Sequence, residues 1–194
     1  MDRIDRLDGM GNSTKRLSFA AMFLAIGLVL PTLVTGHIPE IGRMLLPMHL
    51  PVLLCGLICG RKCGLMVGFV LPFMRSMFFG LPVLFPMGIS MAFELATYGF
   101  VIGLIYHSAA KQNTFAVLRS LIIAMIAGRV VWGTFMALLI GLSGSGVFTF
   151  QLFIGGALIN AIPGIILQLV LVPSIMLALN RAGLLTFNRQ LAGR

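Results

Sequence analysis

Acidic residues are scarce in this sequence, which has five Asp and Glu against fourteen Lys and Arg. Three of the acids stand at the N-terminus, so Glu40 and Glu94 are the only carboxylates in the rest of the chain. No HExxH motif or pair of aspartates indicates a metal site, and the histidines are scattered. We therefore expect neither metal nor cofactor.

Enzyme classes are excluded by missing parts. No glycine-rich phosphate loop with a lysine is present, so the chain should not hydrolyse ATP itself. The segment 141–144 matches the GxSG of rhomboid proteases, but the last apolar segment has no histidine to serve as base. Cys55, Cys59 and Cys63 lack the additional ligands of a zinc site, which favours buried thiols. We predict that the protein is not an enzyme.

Long apolar runs are what the chain does have. Hydrophobic residues make up 59% of it and charged residues 10%, too little polar surface for a water-soluble domain of 194 residues. Several runs reach the ~20 residues that cross a bilayer. A cleaved signal peptide is the alternative for the first run, but that run continues past Ala25 to Val34 without a small-residue cleavage site.

The pattern predicts an all-α integral membrane protein, a single domain built as a six-transmembrane-helix bundle. The predicted spans are 17–34, 47–60, 63–79, 87–106, 118–142 and 150–179, after a cytoplasmic tail at 1–16. A polar linker, 35–46, separates the first two spans. Glycines at 56, 60, 64 and 68 recur every four residues and predict close helix packing.

Basic residues indicate the orientation. Eleven of the fourteen Lys and Arg fall in the tail and in the connections on the same side of the membrane. The positive-inside rule then places both termini in the cytoplasm and the 35–46 linker outside. The net charge of +9 is thus a topology signal, and no nucleic-acid partner is predicted.

Polar residues inside the spans are the candidate site, because an ionisable group in the membrane is costly. Glu94 and Asn160 are predicted about 15 Å deep, with Arg129 somewhat deeper, at ~1.5 Å per helical residue. A pocket open to the outside is one interpretation, and a purely structural Glu94–Arg129 pair is the other. The candidate ligand-binding residues are Glu94, Arg129, Trp132, Asn160, Tyr98 and Arg75, with His37 and Arg43 in the linker above. Gln168 is interpreted as an interhelical hydrogen bond.

Six short spans, an Ala21-x-x-x-Ala25 motif in span 1 and the long outer linker resemble the substrate-binding S component of an energy-coupling factor (ECF) transporter. The resemblance covers nearly the whole chain. It implies a vitamin-binding subunit in a bacterial or archaeal cell membrane, with the linker as a gate. It also implies docking through the two alanines on a transmembrane coupling subunit that two ATPase subunits drive.

The ligand is suggested by shorter segments. Gly36-His37-Ile38-Pro39, the run from Leu46 to Pro51, and Phe93-Glu94-Leu95-Ala96-Thr97-Tyr98 are most similar to S components assigned to pantothenate. Folate, riboflavin or another cofactor precursor stays open, because Trp132 is available for ring stacking. A function from another class also stays open: a stand-alone proton-coupled transporter or channel that uses Glu94.

Overall fold

The computed structural model describes residues 2–35, 47–109, 112–143 and 162–182, with side chains from residue 14 to 34 and from residue 47 onward. The helices are α1 (Asp2–Thr35), α2 (His49–Cys59), α3 (Arg61–Phe79), α4 (Ile89–Ser108), α5 (Thr114–Ser143) and α6 (Ile162–Arg181). A π-helical turn, Leu84–Gly88, leads into α4. The part of the chain described here contains no strand, and the all-α prediction is confirmed.

Five of these helices are long and apolar enough to cross a membrane, as a multi-pass membrane protein requires. The exception is α2, whose 11 residues extend about 16 Å at 1.5 Å per residue. This helix is shorter than the predicted span 47–60, because Pro47 and Met48 form a turn and Gly60 ends the helix with φ of 93°. Such a backbone angle favours glycine.

The other helix bounds differ from the predicted spans in detail. The first span and the tail form one continuous helix, α1, whose apolar segment is Thr14–Val34. Arg61 and Lys62 form the first turn of α3 rather than a connection. The predicted start of the sixth span, at residue 150, lies outside the described residues.

Helix α4 is the centre of the bundle, with α2, α3 and α5 packed around it. Its side chains at Leu95, Tyr98 and Ile102 are almost fully buried, in the same core cluster as Leu53 of α2 and Leu121 of α5. A charged residue on the inner face of α4 is therefore surrounded by protein on several sides. Glu94 occupies such a position and is 1% exposed.

Glycines allow these helices to approach closely. A Cβ added at Gly56 or at Gly64 would lie 2.5 Å from the backbone oxygen of Gly99, and one at Gly68 would overlap the backbone at Leu95. The packing role predicted for the glycine series is confirmed at these three positions. Gly60, the fourth member of the series, forms the turn between α2 and α3 instead.

We expect Gly64→Ala to lower the stability of the detergent-solubilised protein by about 1–3 kcal/mol, because the new methyl group forces α3 and α4 apart. Thermal unfolding measures this loss. Gly141→Ala is the matched control, since a Cβ at Gly141 meets nothing within 4 Å and alanine suits a helix interior better. Equal melting temperatures for the two variants would contradict the close-packing interpretation.

Candidate functional site

A buried polar cluster lies where α2, α4 and α5 meet. Glu94 Oε1 lies 3.0 Å from Arg129 Nη1, forming an ion pair between α4 and α5. The same carboxylate oxygen accepts a hydrogen bond from the Tyr98 hydroxyl at 2.8 Å. His49 of α2 places its Nε2 atom 3.7 Å from this oxygen. We call Glu94, Tyr98, Arg129 and His49 the Glu94 cluster.

Local helix geometry explains how the cluster forms. Residues four apart share one face of a helix, so Tyr98 lies directly beside Glu94 on α4. Gly128 leaves room for the phenol ring, because a Cβ there would come 2.5 Å from Cδ1 of Tyr98. The ring of His49 also packs against Tyr98, with ring centroids 5.2 Å apart. The short helix α2 begins at His49, which places the imidazole level with the carboxylate.

Three buried nitrogen atoms of the cluster have no hydrogen-bond partner among the described residues. They are His49 Nδ1, His49 Nε2 and Arg129 Nε. Buried polar atoms in proteins are nearly always paired, and each exception calls for an explanation. A bound polar molecule, a water molecule or a side chain outside the described residues would supply partners for these atoms.

Trp132 lies one turn beyond Arg129 on α5 and is 6% exposed. It forms a small apolar cluster with Met136, against which Met87, Met91 and Ile140 pack. Trp132 therefore provides an apolar wall next to the charged pair. The structure brings together Glu94, Tyr98 and Arg129 from the predicted site, and Trp132 lies one turn from Arg129 on α5.

The hydrogen bonds of Arg75 are made with helix α1 and not with the Glu94 cluster. Its Nη1 atom donates hydrogen bonds to the backbone oxygen of Leu28 at 2.8 Å and to Thr32 Oγ1 at 3.2 Å. The guanidinium also lies over the ring of Phe79, 5.2 Å from the centroid. These contacts tie α3 to α1 near Pro31.

The remaining predicted residues divide into two groups. His37, Arg43 and Asn160 lie outside the described residues. Gln168 is buried and lines an apolar cavity of about 120 Å³ between α1, the start of α2 and α6. Its other lining residues are Leu30, Val34, Pro47, Leu50, Leu167 and Leu171.

His49 is the member of the cluster that the sequence analysis missed. It stands at the start of an apolar segment, where a histidine is ordinarily placed at the membrane surface. Its distance along the chain from Glu94 and Arg129 leaves no local motif to reveal the contact. One signal was available: His49 lies within the run from Leu46 to Pro51, one of the segments that resemble pantothenate-type S components.

Helix α1 presents a second feature. Ala21 and Ala25 are both exposed, whereas Ala20, Phe23 and Gly27 on the opposite face are buried in the bundle. Small exposed side chains leave the α1 backbone accessible to a helix of another protein. Large apolar side chains, including Phe19, Met22, Ile26 and Val29, cover the adjoining exposed surface.

Comparisons with known proteins complete these observations. A search of curated proteins and a search of solved structures each found no significant match. The family model described as "ECF transporter, substrate-specific component" matches residues 15–176, which includes every described element from the apolar part of α1 to most of α6. The chain belongs to the family of substrate-specific components of ECF transporters.

Proposed function

We propose that this S component captures a small hydroxylated carboxylate, with pantothenate the best candidate, and delivers it inward when docked on an ECF energising module. The Glu94 cluster is the observation that carries the proposal. It is a buried ion pair with a neighbouring imidazole, and three of its nitrogen atoms lack partners among the described residues. A membrane protein retains such a group at a cost in insertion free energy, which makes a functional role the default expectation.

The proposed ligand matches the cluster group by group. Arginine binds carboxylates with two parallel hydrogen bonds, and Arg129 uses Nη1 for Glu94 while Nε is unpaired. Glu94 and Tyr98 offer oxygen atoms to ligand hydroxyl groups. Trp132 and Met136 offer an apolar surface to the ligand's carbon skeleton. Pantothenate combines a carboxylate, an amide and two hydroxyl groups around a branched apolar centre.

The other predicted contacts keep the status of proposals. Asn160, and His37 and Arg43 of the outer linker, would close the site from the extracellular side. This orientation follows from the predicted cytoplasmic location of both termini. Arg75 we assign to the junction of α1 and α3, since its hydrogen bonds are directed there.

Docking is proposed to use Ala21 and Ala25 of α1. Their exposure supports this assignment, because a helix of the coupling subunit could approach the α1 backbone at these two positions. The ATPase subunits of the module would supply the energy, as the chain has no phosphate-binding loop.

Calorimetric titration of the purified, ligand-free protein with pantothenate, riboflavin and folate tests the ligand. We expect saturable 1:1 binding of pantothenate and none of the other two. Binding of riboflavin or folate instead would overturn the ligand assignment.

Reconstitution tests the mode of transport. We expect no uptake of labelled pantothenate by liposomes that contain this protein alone. Uptake without partner subunits would favour the alternative function, a self-sufficient transporter that uses Glu94.

A further inference from the structure

His49 is the member of the Glu94 cluster whose ring is buried with neither nitrogen atom hydrogen-bonded to a described residue. It is 1% exposed, and neither ring nitrogen has a partner among the described residues. The ring packs at a tilt of 56° against Tyr98, and this contact provides no hydrogen-bond partner for its nitrogen atoms. An apolar side chain of similar size would fill this position without leaving polar atoms unpaired. The choice of histidine therefore requires a reason beyond packing.

The neighbouring carboxylate determines which nitrogen carries the proton in a neutral imidazole. Nε2 is 3.7 Å from Glu94 Oε1, so a small approach or one bridging water completes an Nε2–H to carboxylate hydrogen bond. In that tautomer Nδ1 has no hydrogen and is an acceptor. A buried acceptor needs a donor, and the described residues offer none to Nδ1.

We propose that His49 is a specificity-determining residue of the binding site, whose Nδ1 atom accepts a hydrogen bond from a hydroxyl or amide N–H group of the ligand. Arg129 Nε, a donor, takes a carboxylate or carbonyl oxygen of the same molecule. The two atoms together select compounds that carry a donor and an acceptor group. This inference rests on the proposed function. It adds His49 to the proposed ligand contacts and specifies the ligand group that binds it.

The test uses the full-length protein and whatever compound it retains. Each variant is purified from cells grown in rich medium, and mass spectrometry measures moles of bound compound per mole of protein. His49→Asn keeps an acceptor near the Nδ1 position, His49→Gln extends its amide toward the Nε2 position, and His49→Leu keeps neither. His107→Gln is the control, because His107 lies exposed near the C-terminal end of α4.

We expect the wild type and His107→Gln to retain the same compound in near-stoichiometric amount. His49→Asn should retain part of it. His49→Gln and His49→Leu should retain at least tenfold less compound per mole of protein than the wild type. Size-exclusion chromatography and thermal unfolding establish that each variant is folded. If His49→Leu does not fold, the amounts of compound retained by His49→Asn and His49→Gln are compared instead, and the inference requires that His49→Asn retain more.

Four outcomes count against the inference. Full retention by His49→Leu would show that the imidazole makes no ligand contact, and retention by Gln but not by Asn would place the contact at Nε2. A retained carboxylate compound without a hydroxyl or N–H group would also overturn the inference. The proposal that this S component binds a carboxylate would then still stand. A wild-type protein that retains no carboxylate compound would overturn the proposed function itself, and this inference with it.

Discussion

Arg129→Met is expected to cause the largest loss of stability of any single substitution in the Glu94 cluster. It leaves the Glu94 carboxylate buried, at 1% exposure, without its guanidinium partner. Breaking a buried ion pair by removing one partner costs about 3–5 kcal/mol, because the remaining charge is uncompensated. Thermal unfolding of the detergent-solubilised protein measures the loss.

The double variant Glu94→Gln with Arg129→Met separates structure from ligand binding. It removes both charges, so we expect most of the stability to return. Binding of pantothenate in calorimetric titration should not return, since the guanidinium proposed to hold the carboxylate is absent. If the double variant binds pantothenate as tightly as the wild type, the Glu94–Arg129 pair has a structural role only.

Arg75→Met serves as the stability control for the loss of a buried guanidinium. Arg75 bonds a backbone oxygen and a hydroxyl group, both neutral, so its removal strands no charge. The expected loss is about 1.5–3 kcal/mol for hydrogen bonds to a charged group, which is less than for Arg129→Met. Equal losses would mean that the charge of Glu94 contributes little to the effect.

The sequence predicted the parts of the site that follow from regular helix geometry. Tyr98 is four residues from Glu94, so one helical turn brings them together. Arg129 was matched to Glu94 by depth, because two long helices that cross the same bilayer place residues at comparable levels. The observed separation of 3.0 Å agrees with that argument.

His49 and Arg75 show where the same reasoning stops. The predicted span 47–60 crosses the membrane and so has His49 near the surface, whereas α2 has only 11 residues and begins at His49 beside the buried Glu94. The position of a short helix depends on how the neighbouring helices pack around it, and the amino-acid composition does not show that packing. The long side chain of Arg75 has several neighbours within reach, and only the packing of α1 against α3 decides which carbonyl it bonds.

Ala25→Trp is expected to reduce uptake by cells that carry a complete ECF module at least tenfold, while binding by the purified subunit stays unchanged. The physical reason is steric. Ala25 and Ala21 are small exposed positions on a helix whose adjoining exposed surface carries large apolar side chains. An indole at this position holds a partner helix away from the α1 backbone and forfeits the close packing on which helix association in lipid depends. Ala25 faces away from the bundle, so the Glu94 cluster should not be disturbed.

Ile26→Trp provides the matched control, because Ile26 is 40% exposed on the same helix but is turned about 100° from Ala25 around the helix axis. Its side chain is already large, so an indole there faces lipid and should leave uptake of labelled pantothenate near the wild-type level. Co-purification of the subunit with the module gives a second measurement that does not depend on the ligand. Loss of co-purification with Ala25→Trp but not with Ile26→Trp would locate the interface on the alanine face. Equal uptake by the two variants would instead assign Ala21 and Ala25 to the lipid-facing surface and require a different docking helix.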